Sequence, residues 1–274
     1  MISQYFKLPR FWLFRAPHRN DKMITIEVNK HKQMNLSDIL NRRTDLSTFL
    51  VHLTRDVEKA SAKDNLESIL RKRCIQARSV YGFLHSRLCR MDRDTVSSQR
   101  TVCFTETSLE FTYLLVEQIE YRDFSFAPYG VAITKRIGRR TGVNPIWYVD
   151  ITQAKGRPPW LTTSLDELAD KFVDKKAHPE LTRIFPFIEQ MGTGERTKGG
   201  KYRKEFWWER EWRYIGDYPL PDTIICLCPE EHIGHFGELM NELKIGGRCV
   251  DPRWSLEKIV AHLAGFAKDD IAIA

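Results

Sequence analysis

The sequence predicts an α+β protein, and three observations carry that expectation. Strand-like apolar or alternating runs recur along the chain. Among them lie stretches with apolar residues three and four apart, as in helices that bury one face. The glycine-rich stretch from Met191 to Lys204 has the spacing of neither a P-loop nor a dinucleotide-binding fingerprint. No internal repeat and no clear linker divides the chain. Residues 1–47 read as an aromatic and basic extension, and 48–274 as one domain.

With 274 residues, the chain is long enough to bury a sizeable core. Its 42% hydrophobic and 29% charged content excludes a disordered polymer. A formal charge of +7 and a pI near 9.1 suit an acidic partner, such as nucleic acid or a phosphate-bearing cofactor, without naming one. Most of these charges are expected simply to solvate the surface. Six cysteines occur with no Cys-x-x-Cys pair. Cys226 and Cys228 sit in an apolar run, and on the ground that alternate strand side chains point apart they are read as buried thiols rather than zinc ligands. The absence of a long apolar segment predicts no membrane span. The apolar run Phe11 to Phe14 is too short for a signal peptide, and free thiols then point to the cytoplasm.

In the extension, Phe6, Phe11, Trp12 and Phe14 mix with Lys7, Arg10, Arg15 and Arg19. Such an arm either docks a partner or packs on the body. Met23 to Val28 alternates as a strand, and Asn35 to Asn41 suits a short helix with Ser37 as a cap. Phe49 to Thr54 reads as a strand that places His52 and Thr54 on one face. Asp64 to Arg71 reads as a helix burying Leu66, Ile69 and Leu70. Arg71 to Arg100 is basic, with Asp92 to Gln99 expected to be flexible; Tyr81-Gly82 shapes either a pocket wall or a turn.

Thr101 to Thr107 suits a strand, running into Ser108 as the cap of a helix from Leu109 to Ile119. Two further strands, Tyr129 to Lys135 and Pro145 to Val149, flank a basic turn from Arg136 to Gly142. Helices are expected at Leu165 to Val173 and Leu181 to Gln190. The end of the chain reads as a strand (Thr223 to Cys228), a helix (His232 to Leu243), a strand (Arg248 to Val250) and a helix from Leu256 to Phe266 capped by Ser255.

The chemistry is expected in the aromatic run from Lys204 to Ile215, since aromatics favour strands. As one strand it carries Glu209, Glu211 and Arg213 on one face and Trp208, Arg210, Trp212 and Tyr214 on the other. Two acids on one face raise each other's pKa unless a cation or polar ligand lies between them. That arrangement is either a binding site or a salt-bridged strand. The preceding stretch, Met191 to Lys204, is rich in Gly, Lys and Arg and reads as a loop. Its Lys198, Lys201 and Arg203 are candidates for gripping a phosphate-rich acceptor, while a plain hairpin connection is the simpler alternative.

Three blocks taken in order carry a resemblance: Val51-His52-Leu53-Thr54 with Asn65-Leu66-Glu67-Ser68-Ile69-Leu70; Cys103 to Leu109 with Tyr129-Gly130-Val131; and Trp208-Glu209-Arg210-Glu211-Trp212-Arg213-Tyr214. The order resembles the AbiGi family of abortive phage resistance, whose members are described as antitoxins, over roughly residues 48 to 265. More distantly it is similar to ADP-ribosyltransferases of the DarT kind, whose split β-sheet fold with peripheral helices clasps NAD without a glycine fingerprint. That resemblance implies roles. Glu211 would grip the ribose 2′-hydroxyl of NAD and Glu209 would orient the nucleophile. His52 and Thr54 would contact ribose, while Thr105 and Thr107 would shape the nicotinamide strand. Arg55 or Arg213 would face the pyrophosphate, and Tyr81 would stack on nicotinamide.

Three classes of function compete. One is an NAD-consuming transferase of antiphage defence with a macromolecular acceptor such as nucleic acid. Another is a non-catalytic antitoxin that holds nucleic acid or a toxin. The third is a metal-dependent nuclease on Glu209, Glu211 and Asp150, disfavoured because no lysine accompanies the acids in the usual place.

Overall fold

The computed structural model describes residues 45–88, 91, 93–117, 119, 124–153, 159–173, 183–195 and 200–266. The chain packs as two units, Met1–Asn41 and Arg42–Ala274, and the account below is of the second. The expectations for residues 1–44 (the aromatic arm, the strand at Met23 and the helix at Asn35) lie outside the described residues.

In chain order the first half gives β1 (Phe49–Leu53), α1 (Ala62–Lys72), β2 (Cys74–Ile75), β3 (Ser79–Val80), α2 (His85–Leu88), α3 (Arg93–Ser98) and β4 (Arg100–Thr105). Next come α4 (Tyr113–Val116), β5 (Gly130–Thr134), α5 (Lys135–Thr141), β6 (Asn144–Pro145), β7 (Trp147–Asp150) and α6 (Trp160–Val173). The last third holds β8 (Ile188–Glu195), β9 (Lys201–Lys204), β10 (Glu211–Ile215), β11 (Tyr218–Pro219), β12 (Thr223–Leu227), α7 (Ile233–Glu242), β13 (Gly246–Val250) and α8 (Leu256–Ala264). The architecture is α+β.

The main sheet runs β13-β12-β5-β1-β4-β10-β6, with β3 also against β4. Its pairs are antiparallel except β12 with β13. A second sheet has the order β7-β8-β9, and β2 pairs with β11. Because strand side chains alternate, each face of the main sheet builds its own core. Leu50, Val102, Phe104, Val131, Ile133, Trp212 and Ile224 pack on one face with α1 and α7. Val51, Leu53, Ala132, Ile225, Leu227 and Val250 pack on the other with Ile259 of α8.

The sheet opens between β1 and β4. These strands share the single ladder pair Val51↔Thr105, whereas β1 pairs with β5 from Phe49 to Leu53, and β4 with β10 from Thr101 to Thr105. Past Val51 the two backbones part, and the His52 side chain reaches the Cys103 carbonyl instead.

Helix α1 borders this opening. Ser61 and Asp64 cap it reciprocally, satisfying N–H groups that the first turn leaves without partners. Leu66, Ile69 and Leu70 are buried, as their spacing predicts, each contributing about 1.5–3 kcal/mol. The helix ends at Arg73 in the left-handed conformation, φ 48°.

Several segments differ from expectation. The basic turn at Arg136 is helix α5, because Thr134 caps the Ile137 N–H and Gly142, at φ 98°, closes the other end. Residues 93–98, expected to be flexible, form α3. The helix expected from Leu109 shrinks to a 3₁₀ turn, Leu109–Phe111, followed by α4, and the Ser108 side chain makes no cap bond. The helix expected at Leu181–Gln190 is absent among its described residues. Instead, Phe185–Phe187 is a 3₁₀ turn containing Pro186, and Ile188 enters β8, whose parallel pairing with β7 outweighs the helical pattern. The Met191–Lys204 stretch is the hairpin β8–β9, with Gly192 paired to Lys204. Finally, Lys204–Ile215 is not one strand. A 3₁₀ turn at Trp207–Glu209 and a left-handed Arg210 separate β9 from β10. No helix among the described residues is long and apolar enough to cross a membrane.

Candidate functional site

The opening between β1 and β4 leads into a cavity of about 720 Å³, lined by β1, β4 and β10 of the main sheet and by Tyr148, Glu189, Gln190 and Lys204 of the second. That volume lies within the roughly 300–1,000 Å³ range of small-molecule sites. Of the residues nominated from sequence, His52, Thr54, Arg55, Tyr81, Thr105, Glu209, Glu211 and Arg213 all line it. Thr107 and Arg203 do not. Lys198 lies outside the described residues, as does the side chain of Lys201.

β10 brings Glu211 and Arg213 to the cavity side, while Trp212 points into the opposite core. Arg213 is 1% exposed. Its Nε donates to Glu211 Oε1 at 2.7 Å, Nη2 donates to Glu211 Oε2 at 3.0 Å and Glu189 Oε2 at 2.5 Å, and Nη1 donates to the Pro186 carbonyl at 2.7 Å. Four of the five guanidinium N–H groups are thereby engaged. A pyrophosphate role for Arg213 is therefore corrected: its donors hold the cavity floor. Lys204 Nζ reaches Glu189 from the other side, so two cations and two carboxylates sum to zero charge.

This network fixes protonation. Burial pushes the Glu189 pKa up, but Arg213 and then Lys204 outweigh it and hold the carboxyl below its ordinary range. Burial likewise disfavours the Arg213 cation, but Glu211 chiefly reverses this and the pKa ends well above the usual value. Burial, then the Glu211 carboxylate, push the Cys103 thiol well up, so it is a neutral wall of the cavity rather than a nucleophile.

His52 Nδ1 lies 2.8 Å from the Cys103 carbonyl oxygen. A carbonyl can only accept, so Nδ1 carries the proton and Nε2 offers a lone pair. Burial, opposed by this bond, lowers the His52 pKa and keeps the ring neutral. The ring meets Phe104 edge-on, with centroids 5.9 Å apart. Thr54 is otherwise committed: its buried hydroxyl proton is shared between the carbonyls of Ala62 at 2.9 Å and Tyr129 at 3.2 Å. Its proton therefore clamps β1 to α1, and a contact with ribose would have to use the oxygen as acceptor.

Thr105 and Thr107 also act on the chain itself. The Thr105 hydroxyl donates to the Glu209 carbonyl, which leaves Thr107 as the donor in their 2.8 Å hydroxyl pair. Together they tie the Trp207–Glu209 turn to β4. This places Glu209 in a turn at the cavity wall rather than beside Glu211 on a strand. Tyr148 completes the fixing: its hydroxyl accepts the Glu211 N–H at 3.2 Å and donates to the Phe206 carbonyl at 3.3 Å. Burial, then the Glu211 charge, raise its pKa, which keeps the phenol protonated.

Tyr81 stands with the Arg213 guanidinium 5.6 Å from its ring centroid. Its neighbour Gly82 has φ 100°, and a Cβ there would lie 2.8 Å from the Ile188 carbonyl oxygen, so only glycine fits. Arg55 stacks over Phe124 at 4.4 Å, and Asn65 holds the Arg55 carbonyl at 3.0 Å while accepting from Arg78 at 2.9 Å. With its guanidinium on a cavity-lining ring, Arg55 is placed where an anionic ligand could meet it. Asp150 does not line the cavity with the acids, and its carboxylate accepts the Thr152 N–H at 2.8 Å.

Sequence reasoning missed Tyr148, Glu189, Lys204, Arg78 and Asn65. The helix block containing Asn65 was legible, but its role depends on the chain fold between Arg55 and Arg78. Glu189 carried no signal, because its segment read as helix.

No family model, curated protein or solved structure matches the chain. The geometry defines a class of site: a cavity with a fixed neutral imidazole, a carboxylate on a rigid charge-balanced floor, and a stacked arginine at its wall. Such a site can bind a polar, partly aromatic small molecule and stabilise positive charge that develops near Glu211.

Proposed function

We propose that the chain is an NAD-consuming ADP-ribosyltransferase of antiphage defence, with a split-sheet transferase fold, that passes ADP-ribose to a macromolecular acceptor, nucleic acid before protein. What carries this reading is one observation. His52, Tyr81 and Glu211, nominated from segments far apart in the chain, line one cavity where the sheet opens.

The roles follow from chemistry. The C1′–N bond to nicotinamide breaks with its electron pair going to the ring, which leaves as neutral nicotinamide. Positive charge grows on the ribose, and a carboxylate accepting from the 2′-hydroxyl strengthens its hold as that charge develops. The fork to Arg213 uses two of the roughly four lone-pair positions of Glu211 and the Cys103 thiol a third, which leaves one for this contact. The neutral Nε2 of His52 accepts from a ribose hydroxyl, and Tyr81 offers a ring to nicotinamide. The acceptor then bonds C1′ and gives up its proton.

A second reading, a non-catalytic antitoxin module, is favoured by a specific observation: both Glu211 oxygens already receive guanidinium protons. The two readings separate in one assay. The purified chain is incubated with labelled NAD, nucleic acid and cell protein, and products are resolved. Label transferred by wild type and lost in Glu211→Gln is the expected outcome. Absence of NAD binding and turnover, with salt-dependent nucleic-acid or toxin binding intact, selects the module.

A further inference from the structure

Behind the sheet, away from the acids of the cavity floor, three sulfurs converge. Cys226 of β12 and Cys249 of β13 are direct partners in the parallel ladder. Cys228 follows two residues after Cys226 and so returns to the same face. This corrects the expectation that Cys226 and Cys228 point apart. Its backbone extends the ladder, the N–H donating to the Val250 carbonyl at 3.1 Å. All three thiol sulfurs are buried and lie within 4.8 Å of one another. Helix α7 supplies a fourth sulfur, Met240 Sδ, 3.8 Å from Cys249 Sγ.

We infer that Cys226, Cys228 and Cys249 form a binding site for one thiophilic d¹⁰ cation, cuprous copper, with Met240 as a neighbouring thioether. The spacing suits it. Metal–sulfur bonds of about 2.3 Å in a trigonal plane place sulfurs about 4 Å apart, so closing the site takes a contraction of less than about 1 Å. The donor set chooses the ion. Zinc in structural sites takes four ligands, and no carboxylate or imidazole joins the three thiols among the described residues. Soft thiolates with a thioether select Cu(I).

Each thiol that ligates the ion releases its proton to solvent. An apolar pocket of unrelated core thiols would need no such convergence from two strands and a helix. The site is independent of the cavity and of the transferase reading.

The test loads the full chain anaerobically with cuprous ion against a competing cuprous chelator. One equivalent per chain is expected, and it is retained when Cys74 and Cys89 are changed to Ala. Cys226→Ala or Cys249→Ala should lower affinity on the order of 100-fold or more, and Met240→Leu by about tenfold or less. Wild type that binds well under one equivalent, or full affinity in Cys226→Ala or Cys249→Ala, overturns the site. Should the Ala variants unfold by circular dichroism, X-ray absorption of the loaded wild type decides. Three sulfur neighbours are expected; nitrogen or oxygen in their place overturns the assignment, as does zinc bound in preference to cuprous ion.

Discussion

Arg213 and Glu211, two positions apart on one strand, form a forked ion pair at 2.7 and 3.0 Å whose guanidinium also holds Glu189 of the second sheet at 2.5 Å. The acids of this site are therefore paired through a buried arginine, across two sheets, and not side by side along one strand. The arginine joins the walls of the cavity and sets its charge.

Removing that join should be costly. Arg213→Met leaves two carboxylates facing each other in a buried place, and breaking a buried pair on one side costs about 3–5 kcal/mol. The urea midpoint should fall accordingly. Arg213→Lys should recover only part of this, because an ammonium cannot fork to Glu211 and also reach Glu189 and Pro186. Full recovery with lysine would show that charge alone matters.

Glu211→Gln makes a different prediction. Its amide oxygen still accepts from Arg213, and Arg213 keeps Glu189, so the fold should survive with a loss of about 1–2 kcal/mol. Transfer of label from NAD should fall about 10²–10³-fold. Glu211 is largely buried, its side chain 18% exposed on a strand that lies between β4 and β6. A folded variant with near-wild-type turnover would remove Glu211 from the chemistry.

His52 should give a pH signature. In the unfolded chain the ring takes a proton near its ordinary pKa of 6.5, while burial keeps the folded ring neutral to lower pH. Between those two values the unfolded state binds more protons, so stability is lost as pH falls below about 6.5. Urea midpoints at pH 7.5 and pH 5.5 should therefore differ more for wild type than for His52→Gln. Equal differences would place the titration elsewhere. In His52→Ala, NAD affinity should fall about tenfold or less, with a stability loss of about 0.5–1.5 kcal/mol from the missing bond to Cys103.

What the sequence made legible follows period and spacing. The burial of Leu66, Ile69 and Leu70, the strand carrying His52 and the Ser255 cap are local patterns that local physics enforces. The aromatic run at Trp207 misled because its tryptophans read as strand. Trp207 and Trp208 are exposed, and the bond from Thr105 pins their segment as a turn. The three-thiol cluster was hidden for another reason. Cys249 joins Cys226 only through parallel pairing of strands separated by a whole helix, and no sequence spacing displays that register.

The hairpin β8–β9 yields the prediction that best separates cofactor from acceptor. Lys204 lines the cavity and pairs with Glu189, whereas the preceding Arg203 is exposed, does not line the cavity and lies 3.4 Å from Glu205. Alternation along β9 thus sends Lys204 and Arg203 to opposite sides of one strand. Lys204→Met should weaken NAD binding and lower stability, since Glu189 loses one of its two cations. Neutralising Arg203 together with Lys198 and Lys201 should leave NAD hydrolysis without acceptor unchanged while cutting modification of nucleic acid. Each lost phosphate contact should flatten the salt dependence of acceptor binding by about one unit of slope. Equal loss of hydrolysis and transfer in the triple variant would assign the hairpin to NAD, and no loss of either would leave it a solvated connection.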